Sequence, residues 1–206
     1  MPYPAGHREK TRERIVRGAR TLFNRHGFDE VSIEDVMSRA GLTRGVFYSY
    51  FKSKSQLYAE AITQALREPP VTRWPEIRVD FTAVDAARQV IQAYLSEQHY
   101  EDIDGSCPLV ALPSYVSRSD PTVKRAFESV FLGMVGLFEQ SLQQEKRPDR
   151  DLALVTAGLC VGGMVVARSL EDRELADDLR EAATRVALRL CGWQQERRRR
   201  TRAIKR

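Results

Sequence analysis

Apolar residues recur at intervals of three and four along almost every long segment of the chain, a spacing typical of amphipathic α-helices. In residues 8–26, Ile15, Ala19, Leu22 and Phe23 fall on one side of such a helix, and arginines occupy the other sides. No stretch shows the convincing alternation expected of a half-buried strand. The pattern therefore predicts an all-α protein.

Glycines and hydroxyl side chains divide this pattern into separate helices. Gly27 and Gly41 are placed to end helices, because glycine is common at helix C-termini. Ser32, Thr43 and Ser53 are placed to begin them, because their hydroxyls can cap free backbone N–H groups. The helices predicted in this way span 8–26, 32–40, 43–50, 54–67, 82–100, 107–117, 121–146, 149–169 and 173–192.

Charge is distributed unevenly along the chain. Residues 1–56 carry 11 Lys and Arg against 6 Asp and Glu, and residues 194–206 carry 7 against 1. Because the whole chain has a net charge of +5, the middle segment, 57–193, carries −6. Basic segments attract nucleic-acid phosphates, so the charge favours contact with a polyanion at the N-terminal end. The polar tail at 194–206 is predicted to be disordered, and it either adds non-specific DNA affinity or is only a solvated end.

Cysteine spacing and hydropathy limit the class of protein. Cys107, Cys160 and Cys191 are far apart, so neither a disulfide framework nor a metal site is predicted, and no cofactor is expected. This cysteine usage fits a reducing cytoplasm. The N-terminus lacks the pattern of a signal peptide. The most apolar run, Leu152–Ala167, is shorter than the about 20 residues of a membrane span, so we expect a buried helix and no membrane partner.

Residues 32–51 have the layout of a helix-turn-helix, with a helix, a glycine turn at Gly41 and a second, short helix. In this motif the second helix enters the DNA major groove, and the first braces it across the backbone. Val46, Phe47 and Phe51 are predicted to belong to the domain core. The second helix also carries residues suited to face outward, namely Arg44, Tyr48, Ser49 and Tyr50.

The residues around this motif resemble the TetR family of regulators. AGLTRGVFYSYFKSKSQL, residues 40–57, is similar to the family signature, and TRERIVRGARTLFNRHGFDEVSIEDV, residues 11–36, is similar to its first helix and the lead into the motif. The resemblance covers roughly residues 10–60. It implies an N-terminal three-helix DNA-binding domain, 8–56, and a C-terminal helical domain, 57–193, that binds an effector and forms a dimer.

The resemblance implies roles for individual residues at a palindromic double-stranded operator. The residues implied to contact phosphates are Thr43, Tyr48, Tyr50 and Lys54. Arg44, Gly45 and Ser49 would lie near base edges, and Thr11 and Arg12 would touch the flanking backbone. Ser32, at the start of the motif, completes the predicted DNA-binding set. The family implies a repressor that a small molecule releases, although activators also occur.

The C-terminal helices offer candidates for the dimer interface and the effector pocket. Small residues in 149–169 and apolar residues in 173–192 predict a four-helix dimer interface, with burial inside one subunit as the alternative. The interface candidates are Ala157, Gly158, Gly162, Gly163, Leu175, Leu179 and Val186. The candidates for lining an apolar or aromatic effector's pocket, each of which ordinary core packing would also explain, are Tyr94, His99, Cys107, Leu112, Tyr115, Phe127, Phe131, Met134 and Phe138.

Two other classes of protein compete with a regulator. The sequence contains no nucleophile motif, phosphate-binding loop or metal cluster, so an enzyme is unsupported and no catalytic residue is predicted. A general nucleic-acid packaging protein would explain the basic ends but needs no helix-turn-helix. Within the regulator hypothesis, Cys107 precedes Pro108 at a predicted helix start, where the helix dipole can lower a thiol pKa, so a thiol sensor is one interpretation of this residue. The other is a small buried apolar side chain, the usual role of a free cysteine.

Overall fold

The computed structural model describes residues 5–69, residue 74 and residues 77–193. The basic tail at 194–206, with its predicted disorder, lies outside these residues. Within the described ranges the regular elements are all helical, which confirms the predicted fold class.

The order of the helices follows the predicted pattern closely. A 3-10 helix at Arg44–Ser49, which we call the recognition segment, follows the second α-helix. The α-helices are α1 (Ala5–Glu30), α2 (Ile33–Arg39), α3 (Lys54–Arg67), α4 (Ala86–Tyr94), α5 (Glu97–Glu101), α6 (Pro108–Ala111), α7 (Pro113–Val116), α8 (Pro121–Gln144), α9 (Arg150–Arg168) and α10 (Arg173–Leu190).

Local side-chain contacts explain where the N-terminal helices begin and end. The Ser32 hydroxyl accepts a hydrogen bond from the Asp35 amide, while the Asp35 carboxylate accepts one from the Ser32 amide, a reciprocal capping box. The Ser53 hydroxyl caps α3 by accepting from the Gln56 amide. Gly27 has a φ of +77° and is not helical, so it ends the long part of α1 as predicted, and a separate short turn follows as far as Glu30.

Three predicted helices differ from the observed elements. The predicted helix at 82–100 is two helices, because the Ser96 hydroxyl caps a new helix by accepting from the His99 amide at 3.2 Å. The segment 107–117 also divides, since Pro113 has no N–H to continue α6 and instead starts α7. The segment predicted as a helix at 43–50 is a 3-10 helix, and Thr43 makes no side-chain cap there.

Helix α3 joins the N-terminal helices to the rest of the molecule. It packs against α1 on one side and against α8 on the other, and α8 in turn packs against α9, which packs against α10. One apolar cluster runs through both regions. At the junction Phe23, Phe28, Tyr58 and Tyr115 form a group of rings with centroid separations between 4.5 and 5.8 Å. The chain therefore has a direct helical connection from the recognition segment to the C-terminal body.

Candidate nucleic-acid interface and apolar cavity

The recognition segment sorts its side chains onto two sides. Phe47 is fully buried and packs against Phe51, with ring centroids 5.6 Å apart. Tyr48, the next residue, is 65 % exposed. Val46 is half-buried on the inner side. The buried side fixes the segment to the domain, and the other side is open to a partner.

Most of the predicted DNA-binding side chains lie on the open side. Ser32, Thr43, Arg44, Gly45, Tyr48 and Ser49 are exposed, and Tyr50 and Lys54 are half-buried. The Ser32 hydroxyl is engaged in the capping box. The Lys54 ammonium lies 4.1 Å from the centroid of the Phe28 ring, and partial burial lowers the pKa of Lys54. The surface thus combines one exposed arginine with hydroxyl groups.

The structure disfavours the predicted contact of buried Thr11 with the DNA backbone, whereas the contact of Arg12, whose side chain is 28 % exposed, stays a prediction. Thr11 is buried, because the register of α1 turns it toward the core. The Arg12 guanidinium lies within the domain, where it donates to the Tyr50 carbonyl and to the Glu60 carboxylate. It also lies over the Phe51 ring, 4.4 Å from the centroid. Arg12 therefore holds the end of the recognition segment in place.

The sequence reasoning missed Arg8, which acts beside Arg12. Its guanidinium donates a hydrogen bond of 2.8 Å to the Ser49 carbonyl. Carbonyls at the end of a helix lack partners within the helix, so the two arginines of α1 satisfy consecutive ones. The positions of the two arginines, one helical turn apart, are the signal that could have indicated this role.

An apolar cavity of 380 Å³ lies at the other end of α3. Helices α3, α4, α6 and α8 contribute to its wall. Its volume and its largely apolar lining are typical of sites for small molecules. The lining residues are Ala65, Leu66, Pro69, Phe81, Val90, Tyr94, Cys107, Leu109, Val130, Gly133, Met134 and Leu137.

A buried polar network lies behind the cavity wall. Nδ1 of His99 is 2.6 Å from the Tyr94 carbonyl, and its Nε2 accepts from the Cys107 amide at 3.4 Å, so the proton belongs on Nδ1. The Arg168 guanidinium donates to the Ser106 hydroxyl and to the carbonyls of His99 and Asp102. This network holds the backbone around Tyr94 and Cys107 in place.

Comparisons with known proteins decide what the N-terminal surface is for. The family profile "Bacterial regulatory proteins, tetR family" matches residues 15–61, which include α2 and the recognition segment. Residues 15–61 therefore carry the DNA-binding region of the TetR family, and the chain is a DNA-binding transcription regulator with a helix-turn-helix, as the sequence predicted.

Individual relatives support the same family. An "Uncharacterized HTH-type transcriptional regulator YdgC" of Bacillus subtilis (strain 168) is 23 % identical over 160 residues, covering 76 % of this chain and 77 % of the relative. A "Probable acrEF/envCD operon repressor" of Escherichia coli (strain K12) is 36 % identical over 61 residues, 29 % of this chain and 28 % of the relative. The second match is thus confined to less than a third of either protein.

Solved structures extend the likeness in fold to the helical body. Reduced E. coli NemR superposes with a TM-score of 0.69 at 19 % identity, covering 87 % of this chain and 96 % of NemR. A SmeT–triclosan complex superposes with a TM-score of 0.59 at 21 % identity, covering 87 % and 90 %. These likenesses show that the C-terminal helices share the TetR-family fold.

The structure places only some of the predicted effector-pocket residues at the cavity. Tyr94, Cys107 and Met134 line it. His99 and Leu112 are buried away from its wall, Tyr115 belongs to the junction rings, and Phe138 is buried near Trp193, at a centroid distance of 6.2 Å. Phe127 and Phe131 border a separate shallow hollow beside α7. Spacing along a helix identified apolar residues but not which of them share a wall.

The structure favours the second interpretation of Cys107, a small buried side chain. The thiol is enclosed at the cavity wall, and burial raises its pKa because the thiolate is poorly solvated there. Helix α6 has only four residues, so it supplies little dipole to oppose this effect. A raised pKa reduces the thiolate fraction, which disfavours an activated thiol sensor.

The predicted dimer residues fall into two groups. Gly158 and Gly162 are exposed on α9, and a Cβ added to either would meet no atom within 4 Å. On α10, Leu175 and Val186 are exposed and Leu179 is half-buried. The open sides of these helices also carry the exposed apolar side chains of Val155, Val166 and Leu190.

Ala157 and Gly163 do not belong to that open face. Ala157 is fully buried within the chain. A Cβ at Gly163 would lie 3.0 Å from the Ala183 Cβ, so this glycine permits the close approach of α9 and α10 in one subunit. The prediction that these two residues lie at the dimer interface is therefore wrong, because the helix register turns them inward.

Helix α9 is long and apolar. By length and composition alone, α9 qualifies as a candidate membrane span, with a mean hydropathy of 1.6, but core helices share this property. In the structure, α9 packs against α8 and α10.

Among the residues described, no group of three His, Cys, Asp or Glu side chains is arranged to hold a metal ion.

Proposed function

We propose that this chain is a cytoplasmic, homodimeric repressor that binds a palindromic operator and is released from it by an apolar or aromatic small molecule. The single observation that carries the proposal is the position of α3. This helix begins directly after the recognition segment, and its last turn, at Ala65 and Leu66, forms part of the cavity wall. Occupation of the cavity can therefore displace the DNA-binding surface.

At the operator, Arg44 is the residue assigned to base edges, with Gly45 and Ser49 beside it. Arginine donates two hydrogen bonds to guanine in the major groove, and Arg44 is exposed at the start of the recognition segment. Thr43, Tyr48, Tyr50 and Lys54 are assigned to phosphates. The support for this assignment is that the four side chains lie around one surface. Lys54 must move away from the Phe28 ring to reach DNA.

Dimerisation is assigned to the open sides of α9 and α10. Exposed glycines at Gly158 and Gly162 allow another helix to approach closely, and the apolar side chains around them lose contact with water when covered. A two-fold dimer would set the two recognition segments about one DNA turn apart, which matches a palindromic operator.

Release follows only if the small molecule binds the DNA-incompetent conformation better than the competent one. Helix α3 is suited to couple the two sites because it packs against both α1 and α8. Two relatives are consistent with this mode of action: one is described as an operon repressor, and SmeT was solved as a complex with triclosan.

Fluorescence anisotropy with DNA flanking the gene tests the proposal. The wild-type protein should bind a palindromic segment tightly in the presence of scrambled competitor DNA. Arg44→Ala should weaken this binding about 10- to 100-fold, as loss of a base contact does. Arg125→Ala, which changes an exposed arginine on α8, serves as the matched control and should have no effect. Weak binding to all sequences that collapses with salt would contradict the proposal and favour a packaging protein.

A further inference from the structure

Residues 50–53 connect the recognition segment to α3, and we call them the exit loop. Side chains from two different helices hold its backbone. The Tyr50 carbonyl accepts a hydrogen bond from the Arg12 guanidinium, which comes from α1. Two residues later, the Lys52 amide donates to Oε1 of Gln56 on α3, at 2.7 Å. The conformation of the exit loop therefore depends on where Arg12 and Gln56 are placed.

Both of these side chains donate to one carboxylate oxygen. Oε1 of Glu60, on the second turn of α3, accepts from Nη2 of Arg12. It also accepts from Nε2 of Gln56, at 3.4 Å. Arg12 carries this connection to the Tyr50 carbonyl, and Gln56 carries it to the Lys52 amide. Glu60 is thus the central member of a chain of hydrogen bonds that reaches both backbone atoms of the exit loop.

The surroundings of Glu60 suit a side chain that orients other groups. The side chains of Arg12 and Glu60 are only 28 % and 31 % exposed, so water screens their ion pair less than it screens a pair in open solvent. The Arg12 guanidinium also lies over the buried Phe51 ring, 4.4 Å from the centroid. The ring and the carboxylate together fix the direction in which Arg12 donates to the exit loop.

The charge of Glu60 gives this role a distinctive sign. A carboxylate close to a phosphate backbone opposes DNA binding, so its removal should strengthen DNA affinity if Glu60 acts through its charge alone. If Glu60 acts by positioning, its removal leaves the exit loop free to adopt other conformations. Binding to DNA must then order the loop, which weakens affinity. The two roles therefore predict changes of opposite direction.

We propose that Glu60 is a positioning residue for DNA recognition. Without touching DNA, its carboxylate holds the exit loop, and with it the end of the recognition segment, in the conformation that fits the major groove. The inference goes beyond the repressor and the small-molecule release proposed above. It rests only on DNA binding by the helix-turn-helix.

Two substitutions of Glu60 separate its position from its charge. Glu60→Ala and Glu60→Gln both remove the carboxylate charge, but only glutamine keeps an oxygen that can accept from Arg12 and Gln56. The probe is duplex DNA enriched from a random-sequence pool by repeated selection with the wild-type protein, so no known operator is needed. In fluorescence anisotropy, Glu60→Ala should bind this duplex about tenfold more weakly than Glu60→Gln. Glu60→Gln should stay within about threefold of the wild type.

Glu9→Ala is the matched control. Glu9 is exposed on α1 and borders the same groove between α1 and α3 as Glu60. It takes no part in the four hydrogen bonds that connect Glu60 to the exit loop. Its removal changes the charge equally and should leave DNA affinity unchanged or slightly higher. Urea unfolding establishes that each variant is folded under the conditions of the binding assay.

Hydrogen exchange measured by NMR examines the exit loop in the absence of DNA. The Lys52 amide should exchange several-fold faster in Glu60→Ala than in Glu60→Gln, because the Gln56 side chain loses its acceptor. Amides in the buried part of α8, such as that of Leu142, should exchange at equal rates in the two variants. A general loss of stability would instead accelerate both regions, so this measurement distinguishes positioning from a merely structural role.

Three results would overturn the proposal. They are DNA binding by Glu60→Ala as tight as that of Glu60→Gln, an equal weakening in Glu9→Ala, and an unchanged exchange rate of the Lys52 amide. None of these measurements uses a small molecule or the DNA flanking the gene. A failure of the proposed repressor or of its release by a ligand is therefore recognised separately.

Discussion

The N-terminal unit, from α1 to the start of α3, and the helical body, from α4 to α10, differ in how far apart along the chain their main side-chain contacts lie. In the first, Ser32 pairs with Asp35 and Ser53 with the Gln56 amide, all within three residues. In the second, Arg168 reaches back 62 residues to Ser106. Local spacing therefore predicts the outline of the DNA-binding unit, whereas the surfaces of the body depend on which distant helix faces each residue.

Adjacent glycines on α9 give the largest expected effect in a test of this comparison. Gly163→Glu should remove the fold, because the new carboxylate would be forced against Ala183 without a partner, at a cost of about 3–5 kcal/mol or more. Gly162→Glu should keep the fold but yield a monomer, because the glutamate would occupy the open face. Urea unfolding followed by circular dichroism measures the first effect, and sedimentation equilibrium measures the second.

The oligomeric state of Gly162→Glu can also contradict the assignment of the dimer interface to the open side of α9. If Gly162→Glu remains a dimer of unchanged affinity, the open side of α9 is not the interface. A Gly158→Glu variant on the same side provides a second measurement, because Gly158 also has no atom within 4 Å of an added Cβ.

Gly162 and Gly163 show that a helical pattern does not predict which face of α9 packs inside the subunit. Both were predicted for the same interface, since small residues spaced along an apolar helix are compatible with packing inside a subunit or between subunits. The positions of Ala183 and Leu95 separate them, because both side chains lie against Gly163, whereas no atom of the described residues lies within 4 Å of a Cβ added to Gly162. A helix pattern predicts which residues are apolar, but the partner of each face is set by the tertiary fold.

The N-terminal unit was more predictable because its signals are short-range. Cap residues, glycine turns and the apolar side of α1 follow from local chemistry, and Phe47 is buried as predicted. The inward position of Arg12 was missed, because its partner Glu60 lies on α3, 48 residues away. Even in this unit, the role of Arg12 depends on a partner that is distant in the sequence.

Substitutions of Phe47 and Tyr48, neighbours in the recognition segment, should separate an effect on the free energy of unfolding from an effect on DNA affinity. Phe47→Ala should lower the free energy of unfolding by about 3–5 kcal/mol, because it removes a fully buried ring. Tyr48→Ala should change it by less than about 0.5 kcal/mol, because its side chain is largely exposed. Urea unfolding at fixed protein concentration compares the two variants.

Operator binding supplies the second half of that comparison. Tyr48→Ala should weaken binding at all sequences alike, since the residue is assigned to a phosphate and not to a base. Unchanged operator affinity in folded Tyr48→Ala would remove Tyr48 from the interface and weaken the assignment of the open side to DNA.

The smallest expected effect concerns the capping box of α2, where the contact is purely local. Hydrogen bonds from the Ser32 hydroxyl and amide hold the pKa of Asp35 below its usual value of 3.8. A lowered pKa in the folded protein means that the carboxylate's contribution is fully present above the unfolded value and is lost as the pH falls through the folded one. The stability difference between wild type and Asp35→Asn should therefore be constant from pH 7 to pH 5.

Below about pH 4, where the unfolded carboxyl group protonates, that difference should shrink as the folded carboxylate also gains its proton. Urea unfolding at pH 7, 5 and 3 measures it, and Glu34→Gln, in the same helical turn but outside the capping box, is the control. Ser32→Ala should cost about 1 kcal/mol at neutral pH, as the loss of an N-cap does. An Asp35→Asn effect that persists undiminished at pH 3 would show that the amide disturbs α2 by packing and not by loss of the ionised cap.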